Sequence, residues 1–368
     1  MSIFRKLYRG ETNFNFIGTR KRWYFASGVI LLICVLSFVL RGFNFGVEFA
    51  GGSQFQIQAA GTTITTHQTE DAFRSANLPS EGAAQEVGSG NTRQIVVKTK
   101  NVGAGEQARV VSSVGKSLGI PTTKISVKTV SSDWGHDVSV KAIQALIIFL
   151  IVVSIYISIR FQWRMAVGAF IALIHDLVLT AGVYSLVGFE VTPSTVVGLL
   201  TILGFSLYDT VVVYDKVSEN SRDLLAGSRM TFSEAANLAV NQTLMRSINT
   251  SLISLLPVAG LLFVGAGILG VGTIEDLALI LFVGLASGAY SSLFLATPIV
   301  CDLTERQASY KALTKRVQAK RAAERAAAER AAAQPELAAA AAAAARRSGG
   351  PAPAPRPGAR PQRAPRRR

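Results

Sequence analysis

Long apolar runs alternate with polar segments along this chain. A helix that crosses a bilayer needs about 20 predominantly apolar residues. Six runs come close to or reach that length, at residues 23–40, 142–159, 166–187, about 194–214, about 244–264 and 277–300. The pattern therefore predicts a polytopic α-helical membrane protein with six transmembrane helices. No small-residue cleavage site follows the first run, so we expect it to be a permanent anchor rather than a signal peptide.

The segment between the first two runs, residues 43–138, has the length of one small domain. Alternating apolar and polar residues predict strands at 53–58, 84–88, 94–100 and 124–130. Helical spacing of apolar residues predicts helices at 67–77 and 105–118. The order β-α-β-β-α-β is that of a ferredoxin-like α+β domain.

Lysine and arginine residues flank the runs unevenly and predict the orientation in the membrane. Residues 1–22 hold six of them against one acidic residue, whereas residues 188–193 and 265–276 hold none. Basic connections favour the cytoplasmic side, so both termini are expected there. The resulting division is a cytoplasmic segment at 1–22, a first span at 23–42, an external domain at 43–138, further spans at 139–300 and a cytoplasmic tail at 301–368.

Charge changes this picture only at the tail. The chain has 368 residues and a net charge of +15, which alone suggests a nucleic-acid-binding protein, but 49% of the residues are hydrophobic. Residues 301–368 hold 16 basic and 5 acidic residues, a net +11. We expect a partial helix at 308–346 and a tail that is otherwise largely disordered. It is either a solvated extension or a surface for anionic lipid or a partner.

Charged side chains inside the apolar runs are the first candidates for function, because a charge at the bilayer centre costs roughly 2.5–3.5 kcal/mol. Asp209 lies in the fourth run and Arg246 in the fifth, and both are expected in the cytoplasmic half of the membrane. Two interpretations stay open. Either the two side chains form a structural ion pair, or Asp209 exchanges protons and thereby changes its interaction with Arg246.

Four further polar residues in the third and fourth runs are candidate accessory groups. His175 and Asp176 either carry a second proton or hydrogen-bond between helices. Thr210 and Asp215 accompany the fourth run, and Asp215 is expected to pair with Lys216 at the membrane surface.

Two glycines in the sixth run, Gly284 and Gly288, are four residues apart. Small residues at this spacing lie on one helix face and allow a neighbouring helix to approach closely. We therefore expect close helix packing at this face.

Motifs for enzymatic chemistry are weak. Residues 115–117 read Gly-Lys-Ser, but a phosphate-binding loop needs a glycine where Val110 stands. No His-Glu-x-x-His zinc motif is present. Ser206 and His175 suggest an intramembrane protease only in outline, because the residues around Ser206 do not form a nucleophile elbow. We therefore expect no enzyme, no cofactor and no metal site.

Four segments resemble the motifs of one known family. Residues 43–53 resemble Phe-Asn-x-Gly-Ile-Asp-Phe-x-Gly-Gly, residues 204–220 resemble Gly-Tyr-Ser-x-x-Asp-Thr-Val-Val-Val-Phe-Asp-Arg-x-Arg-Glu-Asn, residues 241–247 match Asn-Gln-Thr-Leu-x-Arg-Thr/Ser, and residues 288–292 resemble Gly-Thr-Tyr-Ser-Ser. The family is that of the SecD and SecF protein-export membrane proteins, in the resistance-nodulation-division superfamily. The resemblance is to its SecF members and covers roughly residues 15–305.

The resemblance implies roles for residues of two motifs. It implies that Asp209 is the proton-coupling carboxylate and Arg246 its basic partner. It also implies that the first motif turns the chain sharply from the first span into the external domain, since glycine tolerates a positive φ. The residues of this turn are Gly46, Glu48, Gly51 and Gly52. Glu48 and Tyr208 depart from the family pattern, which has Asp at the first position and often Asn at the second.

The resemblance finally implies a function and partners. A SecF-type subunit of the SecD–SecF accessory complex uses the proton motive force to promote late steps of protein translocation across the bacterial cytoplasmic (inner) membrane. The implied partners are a SecD-like subunit, the SecYEG channel with SecA and YajC, the secreted polypeptide and membrane lipid, with no specific nucleic acid. The alternative is a half-transporter of the same superfamily that exports small hydrophobic molecules or lipids. The small external domain argues against this alternative.

Overall fold

The chain begins with a long helix that leads into a small mixed domain. The computed structural model describes residues 14–88, 90–268 and 275–347, without the side chains of 266–268 and 331–347. Helix α1 spans Arg20–Arg41. The next elements are β1 (Asn44–Phe45), α2 (Val47–Ala50), β2 (Gly52–Gln58), α3 (Thr66–Ser75), β3 (Gln85–Val87), β4 (Gln94–Thr99), α4 (Ala104–Leu118) and β5 (Ile125–Val130).

Residues 52–130 form the α+β domain, whose strands make one antiparallel sheet in the order β3-β4-β2-β5. Phe73 of α3 packs edge to face on Phe55 of β2 with 4.9 Å between ring centroids, and both side chains are fully buried. The six elements predicted for this segment are confirmed, with ends within two residues of those expected. Residues 115–117 lie inside α4, so their Gly-Lys-Ser sequence does not form a loop.

The rest of the chain is helical apart from one short strand. The elements are α5 (Ser132–Arg160), α6 (Trp163–Val187), β6 (Glu190–Val191), α7 (Pro193–Ser221), α8 (Phe232–Ala259, continued by a π-helical segment Gly260–Ile268), α9 (Glu275–Ser291, continued by a π-helical segment Ser292–Ala296), α10 (Thr297–Glu305) and α11 (Ala308–Arg347). In the part of the chain that is described, six helical stretches are long and apolar enough to cross a membrane. The predicted number of spans is thereby confirmed.

Helix α5 begins earlier than the apolar run at residues 142–159 indicates. Its first residue is Ser132, so its first turns belong to the segment 43–138 that was assigned to the external domain. The cause is local, because Ser131 caps the helix: its hydroxyl accepts a hydrogen bond from the Trp134 N–H at 3.3 Å. The helix therefore follows β5 almost directly.

The two glycines of the sixth run lie where α9 meets α7, and the predicted close packing is confirmed. A Cβ atom added at Gly284 would stand 2.6 Å from Cγ1 and from Cγ2 of Ile202. One added at Gly288 would stand 2.9 Å from the Cβ of Ser206. Larger side chains at these positions would push α9 away from α7.

The partial helix expected at 308–346 is present as α11, whereas residues 301–305 were assigned to a largely disordered tail. Residues 301–305 belong to α10, and α11 continues to Arg347. Its alanine-rich sequence favours a helix, and Leu313 and Val317 are fully buried in the core cluster of the bundle. Arg321 of α11 also forms a bidentate ion pair with Glu234 of α8, with N···O distances of 2.6 and 2.9 Å. Residues 348–368 lie outside the described part of the chain.

Candidate functional site

Helix α7 carries the carboxylate that the sequence singled out. The helix begins at Pro193, which fits a first turn because its missing N–H would have no partner there. Asp209 lies deep in the helix and is 6% exposed. Ser206 and Thr210 lie beside it and are also buried. The Thr210 hydroxyl donates to the Ser206 carbonyl at 3.0 Å, so this candidate residue is satisfied within its own helix.

A narrow crevice between α7, α8 and α9 borders Asp209. Its lining residues are Phe205, Ser206, Asp209, Thr250, Ser251, Ser254, Leu285, Gly288 and Ala289. Polar groups are costly inside a membrane span, so hydroxyls gathered beside a carboxylate mark this crevice as a candidate site for a proton or another polar ligand.

The expected pair between Asp209 and Arg246 is not formed as a direct contact. Among the ion pairs of the described residues, none within 4.0 Å joins these two side chains. Arg246 is exposed on the outer face of α8, and its guanidinium donates to the Tyr208 hydroxyl at 3.4 Å. The neighbouring Ser247 is buried, because adjacent residues point about 100° apart around a helix. The Ser247 hydroxyl has no hydrogen-bond partner among the described residues.

A second carboxylate, Asp176 of α6, is completely buried at the centre of a hydroxyl cluster. Ser206 of α7 donates to its Oδ2 at 2.6 Å, and Ser291 of α9 donates to the same oxygen at 2.7 Å. Ser287 of α9 donates to its Oδ1 at 2.6 Å. Asp176 therefore joins three helices, and one of its partners, Ser206, also lines the crevice at Asp209.

His175 is equally enclosed but makes fewer contacts. Its Nδ1 lies 3.3 Å from Oδ1 of Asp176, and its Nε2 is buried without a hydrogen-bond partner among the described residues. Ser206 is hydrogen-bonded to Asp176 rather than to His175, so the described hydrogen bonds contain no Ser–His dyad. Nor does the described part of the chain contain a group of three or more His, Cys, Asp or Glu residues that could hold a metal ion.

Sequence reasoning identified Asp176 and Ser206 but missed the roles of Ser287 and Ser291. Ser287 and Ser291 are four residues apart in the sixth run, at the same spacing as Gly284 and Gly288. That spacing was the available signal, because two hydroxyls on one face of a membrane helix can serve one acceptor on a neighbouring helix.

Asp215, the remaining accessory candidate, lies away from this cluster. Its carboxylate accepts from Arg160 of α5 at 2.8 Å, and both side chains are more than half exposed. Lys216 instead pairs with Glu219 at 2.9 Å. The expected Asp215–Lys216 pair is therefore wrong, and Asp215 connects the ends of two helices.

The first motif forms the predicted sharp turn between α1 and the α+β domain. Gly51 and Gly52 have φ values of 75° and 118°, a region that favours glycine. A Cβ at Gly51 would stand 2.8 Å from Cα of Ser132, and one at Gly52 would stand 2.6 Å from the Thr99 carbonyl oxygen. Glycine is therefore required here for both backbone conformation and close approach.

The other two motif residues contact neighbouring segments. Glu48 pairs with Lys128 of β5, while its Oε2 is buried with no hydrogen-bond partner among the described residues. Gly46 lies close to the carboxylates of Glu48 and Glu190. A Cβ at Gly46 would stand 2.9 Å from Oε1 of Glu190, so a larger residue would crowd these side chains. Strand β1 pairs in parallel with β6, the turn between α6 and α7.

Lys98 of β4 connects the α+β domain to the turn between α6 and α7 through an ion pair and hydrogen bonds. Its Nζ lies 3.2 Å from Oε1 of Glu190 and donates to Asn44 Oδ1 at 2.9 Å and to the Phe45 carbonyl at 2.8 Å. The motif segment therefore connects three parts of the molecule: the first span, the sheet and the end of the helix bundle.

Comparison with known proteins gives separate family matches for the helical part of the chain and for the glycine turn. Residues 110–306, more than half of the chain, match the family model for the C-terminal part of the protein export membrane proteins SecD and SecF. Residues 36–63 match the model of the SecD/SecF GG motif. The first region contains both buried carboxylates, and the second contains the glycine turn.

Similar proteins include translocase subunits of several bacteria. The protein translocase subunit SecF of Streptomyces coelicolor is 46% identical over 86% of this chain and 84% of its own length. The SecF subunit of Mycobacterium tuberculosis strain H37Rv is 42% identical over 87% of this chain and 74% of its own.

A solved structure gives the same relationship in three dimensions. The crystal structure of SecDF from Thermus thermophilus, a translocon-associated membrane protein, superposes with a TM-score of 0.72 at 28% identity. The match covers 81% of this chain and 39% of the SecDF chain, so this chain spans about two fifths of that protein. On these sequence and structural matches, the chain belongs to the SecD/SecF family of protein-export membrane proteins, among its SecF members.

Proposed function

We propose that this chain is the SecF-type subunit of a SecD–SecF accessory complex that uses the proton motive force to promote late steps of protein translocation across a bacterial cytoplasmic membrane. The names of its relatives support this function, since proteins 46% and 42% identical to it are protein translocase subunits. The same names do not favour the half-transporter alternative.

The position of Asp209 carries the proton-coupling part of the proposal. Its carboxylate is nearly buried inside a span, beside a crevice lined by hydroxyls, and the guanidinium of Arg246 makes a long 3.4 Å contact with the Tyr208 hydroxyl. An ionised Asp209 attracts Arg246, and a protonated one releases it. Proton binding therefore changes the force between α7 and α8. The membrane potential supplies about 2.3 kcal/mol per charge per 100 mV for such a step.

The outer face of α7 and α8 is where we place the SecD-like partner. Arg246 and Tyr208 are both exposed on this face within candidate membrane spans, and Tyr208 is 50% exposed. Facing lipid, these polar groups would be costly, whereas a partner helix with polar side chains satisfies them. The single-chain SecDF relative, of which this chain matches about two fifths, supports such a partner.

Orientation, further partners and domain class complete the proposal. Basic residues at 1–22 and in the tail support cytoplasmic termini, and hence an α+β domain on the opposite side. The order of its elements and its antiparallel sheet support the ferredoxin-like class. On that side the domain would meet the secreted chain, while the SecYEG channel, SecA, YajC and lipid complete the assembly.

Asp209→Asn tests the proposal in the complex with its SecD-like partner, reconstituted with the channel in vesicles. We expect the stimulation of translocation by an imposed proton gradient to fall by roughly tenfold or more, because the amide cannot release a proton. The matched control is Asp215→Asn, an exposed carboxylate on the same helix, which should retain the stimulation. Normal stimulation in Asp209→Asn would contradict proton coupling through this residue.

Arg246→Met separates the two interpretations that the sequence left open. If Arg246 takes part in coupling, the variant assembles with the partner and loses the response to the gradient. If copurification with the partner is lost and the remaining complexes respond normally, the residue has a structural role.

A further inference from the structure

Asp176 is a buried carboxylate to which the proposed function of Asp209 assigns no task. It is 0% exposed, and no lysine or arginine of the described residues lies within ion-pair distance of it. An anion in such a place is destabilised strongly unless donors surround it. Its environment therefore has to be explained by the side chains it touches.

Three serine hydroxyls donate to Asp176, and the imidazole of His175 lies beside it. An ionised carboxylate accepts about four hydrogen bonds, and Asp176 has four neighbours: three serine hydroxyls at 2.6, 2.6 and 2.7 Å and Nδ1 of His175 at 3.3 Å. Lengths of about 2.5–2.7 Å are typical of hydroxyls that donate to an anion. The cluster is therefore organised around a negative charge, and three hydroxyls from two other helices turn towards it.

The cluster also sets the position of α7 next to the proposed coupling site. Ser206 donates to Asp176. It also precedes Asp209 by three residues on α7, so Ser206 and Asp209 are neighbours on one face of that helix. On the other side of Ser206, the absence of a side chain at Gly288 lets α9 approach. Ser206 is thus held between α6 and α9, and Asp209 is held with it.

We propose that Asp176 is a positioning residue for Asp209: its negative charge binds Ser206, Ser287 and Ser291 and so fixes α7 against α6 and α9 at the level of the coupling carboxylate. The inference rests on the proposed function of Asp209 and assigns a distinct task to a different carboxylate. Asp176 does not itself deliver a proton in this scheme; it keeps the exchanging group at the crevice.

Few titratable groups surround the cluster, which simplifies a test. His175 is the neighbour on the same helix, Tyr290 of α9 lies with its ring 6.0 Å from that of His175, and Asp209 lies beyond Ser206 on α7. From α1, the Ser27 hydroxyl lies 2.9 Å from the Tyr290 hydroxyl. A change at Asp176 therefore removes the charge at the centre of the cluster without breaking an ion pair to lysine or arginine.

Two variants and one matched control isolate the role of the charge. Asp176→Asn keeps the shape, and the serine hydroxyls can turn to accept from the new amide. The double variant Ser287→Ala and Ser291→Ala keeps Asp176 and removes two of its three hydroxyl donors. Ser292→Ala is the control, because Ser292 is adjacent to Ser291 and equally buried, yet its hydroxyl donates to the Ala289 carbonyl of its own helix at 3.3 Å rather than to Asp176.

The measurement is translocation by the full complex in vesicles over a series of imposed proton gradients, together with copurification of the partner. We expect both test variants to assemble and to translocate normally without a gradient. At a fixed gradient, their stimulation of translocation should be roughly tenfold lower than that of the unaltered protein. They should also need a larger gradient to reach half of their maximal stimulation. Ser292→Ala should match the unaltered protein. If Asp176 acts through Ser206, adding Ser206→Ala to Asp176→Asn should cause no further loss.

Each other result overturns the inference. A normal gradient response in Asp176→Asn shows that the charge is not needed, and an equal fall with and without a gradient shows a purely structural role. If Asp176→Asn does not accumulate, the double serine variant decides in the same way. A normal response in Asp209→Asn would refute the proposed function itself, whereas an inactive Asp209→Asn with a normal Asp176→Asn refutes only the positioning role.

Discussion

Gly284→Ala tests how closely α9 has to approach the helix that carries Asp209. The new methyl carbon would lie 2.6 Å from two carbons of Ile202, whereas carbon atoms in unstrained contact lie about 3.5–4.0 Å apart. The two helices therefore have to separate by about 1 Å, or Ile202 has to leave its rotamer. Overpacking of this kind costs about 1–3 kcal/mol, and the better helix propensity of alanine offsets roughly 1 kcal/mol of it.

Gly204→Ala on α7 is the matched control, because a Cβ there meets nothing within 4 Å. It should gain up to about 1 kcal/mol from helix propensity alone. The difference in the free energy of unfolding between the two variants, measured on the purified chain in detergent, then reports the overpacking as about 1–3 kcal/mol. Translocation should fall in Gly284→Ala alone, since a displaced α7 carries Ser206 and Asp209 with it.

A second substitution shows whether the cost comes from Ile202. Ile202→Ala removes the carbons that collide with the new methyl group, so in the Gly284→Ala background it should cost about 1–3 kcal/mol less than in the unaltered protein. Strictly additive effects of the two substitutions would refute this account, as would a Gly284→Ala variant as stable as Gly204→Ala.

Two predictions concern the junction between the α+β domain and the helices. Gly51→Ala should lower the free energy of unfolding by about 1–3 kcal/mol, because its φ of 75° disfavours a side chain and the new Cβ would lie 2.8 Å from Cα of Ser132. Lys98→Met should weaken the attachment by about 1–3 kcal/mol, because Glu190 and the β1 segment lose its three contacts; faster amide hydrogen exchange at β1 and β6 would report it. For Gly51→Ala, the control is Gly61→Ala, which has a similar φ of 68° and where an added Cβ would meet no atom within 4 Å. Equal losses of unfolding free energy at the two glycines would mean that the contact of Gly51 with α5 contributes nothing. For the substitution of Lys98, the control is Lys100→Met, an exposed lysine two residues further along the chain; unchanged exchange in Lys98→Met would refute the attachment.

Most of the architecture follows from local patterns in the sequence. Six apolar runs identified the six spans, and the alternation of apolar residues identified the elements of the α+β domain, because each element has to bury one face. The exceptions are equally local. Ser131 starts α5 before its apolar run, and Leu313 and Val317 bind α11 to the bundle through two apolar side chains in a polar tail.

The predicted direct contact between Asp209 and Arg246 is not formed, for a different reason. Similar depth in the membrane places two residues at one level but leaves the rotation of each helix open. On α8, the buried stripe passes through Thr243 and Ser247, so Arg246 turns outward to Tyr208. Rotation depends on packing against neighbouring helices, which a pattern within one segment does not record.

The hydroxyl cluster could not be predicted from any one segment, since Asp176, Ser206, Ser287 and Ser291 belong to three helices. Serine is common in membrane helices, and most of these hydroxyls return a hydrogen bond to their own backbone, as Ser154 does with the Leu150 carbonyl at 2.7 Å. Only the arrangement of α6, α7 and α9 shows which serines do otherwise.

The two buried carboxylates differ in the property that decides which of them can exchange a proton. Asp176 is fully enclosed and accepts hydrogen bonds from three serine hydroxyls, which stabilise a negative charge at this place. Asp209 is 6% exposed and borders a crevice lined by hydroxyls. A group that has to gain and lose a proton in each cycle needs access and a small difference in free energy between its two states. By that criterion we expect Asp209 to be the exchanging group and Asp176 to be the fixed anion that holds the helices around it.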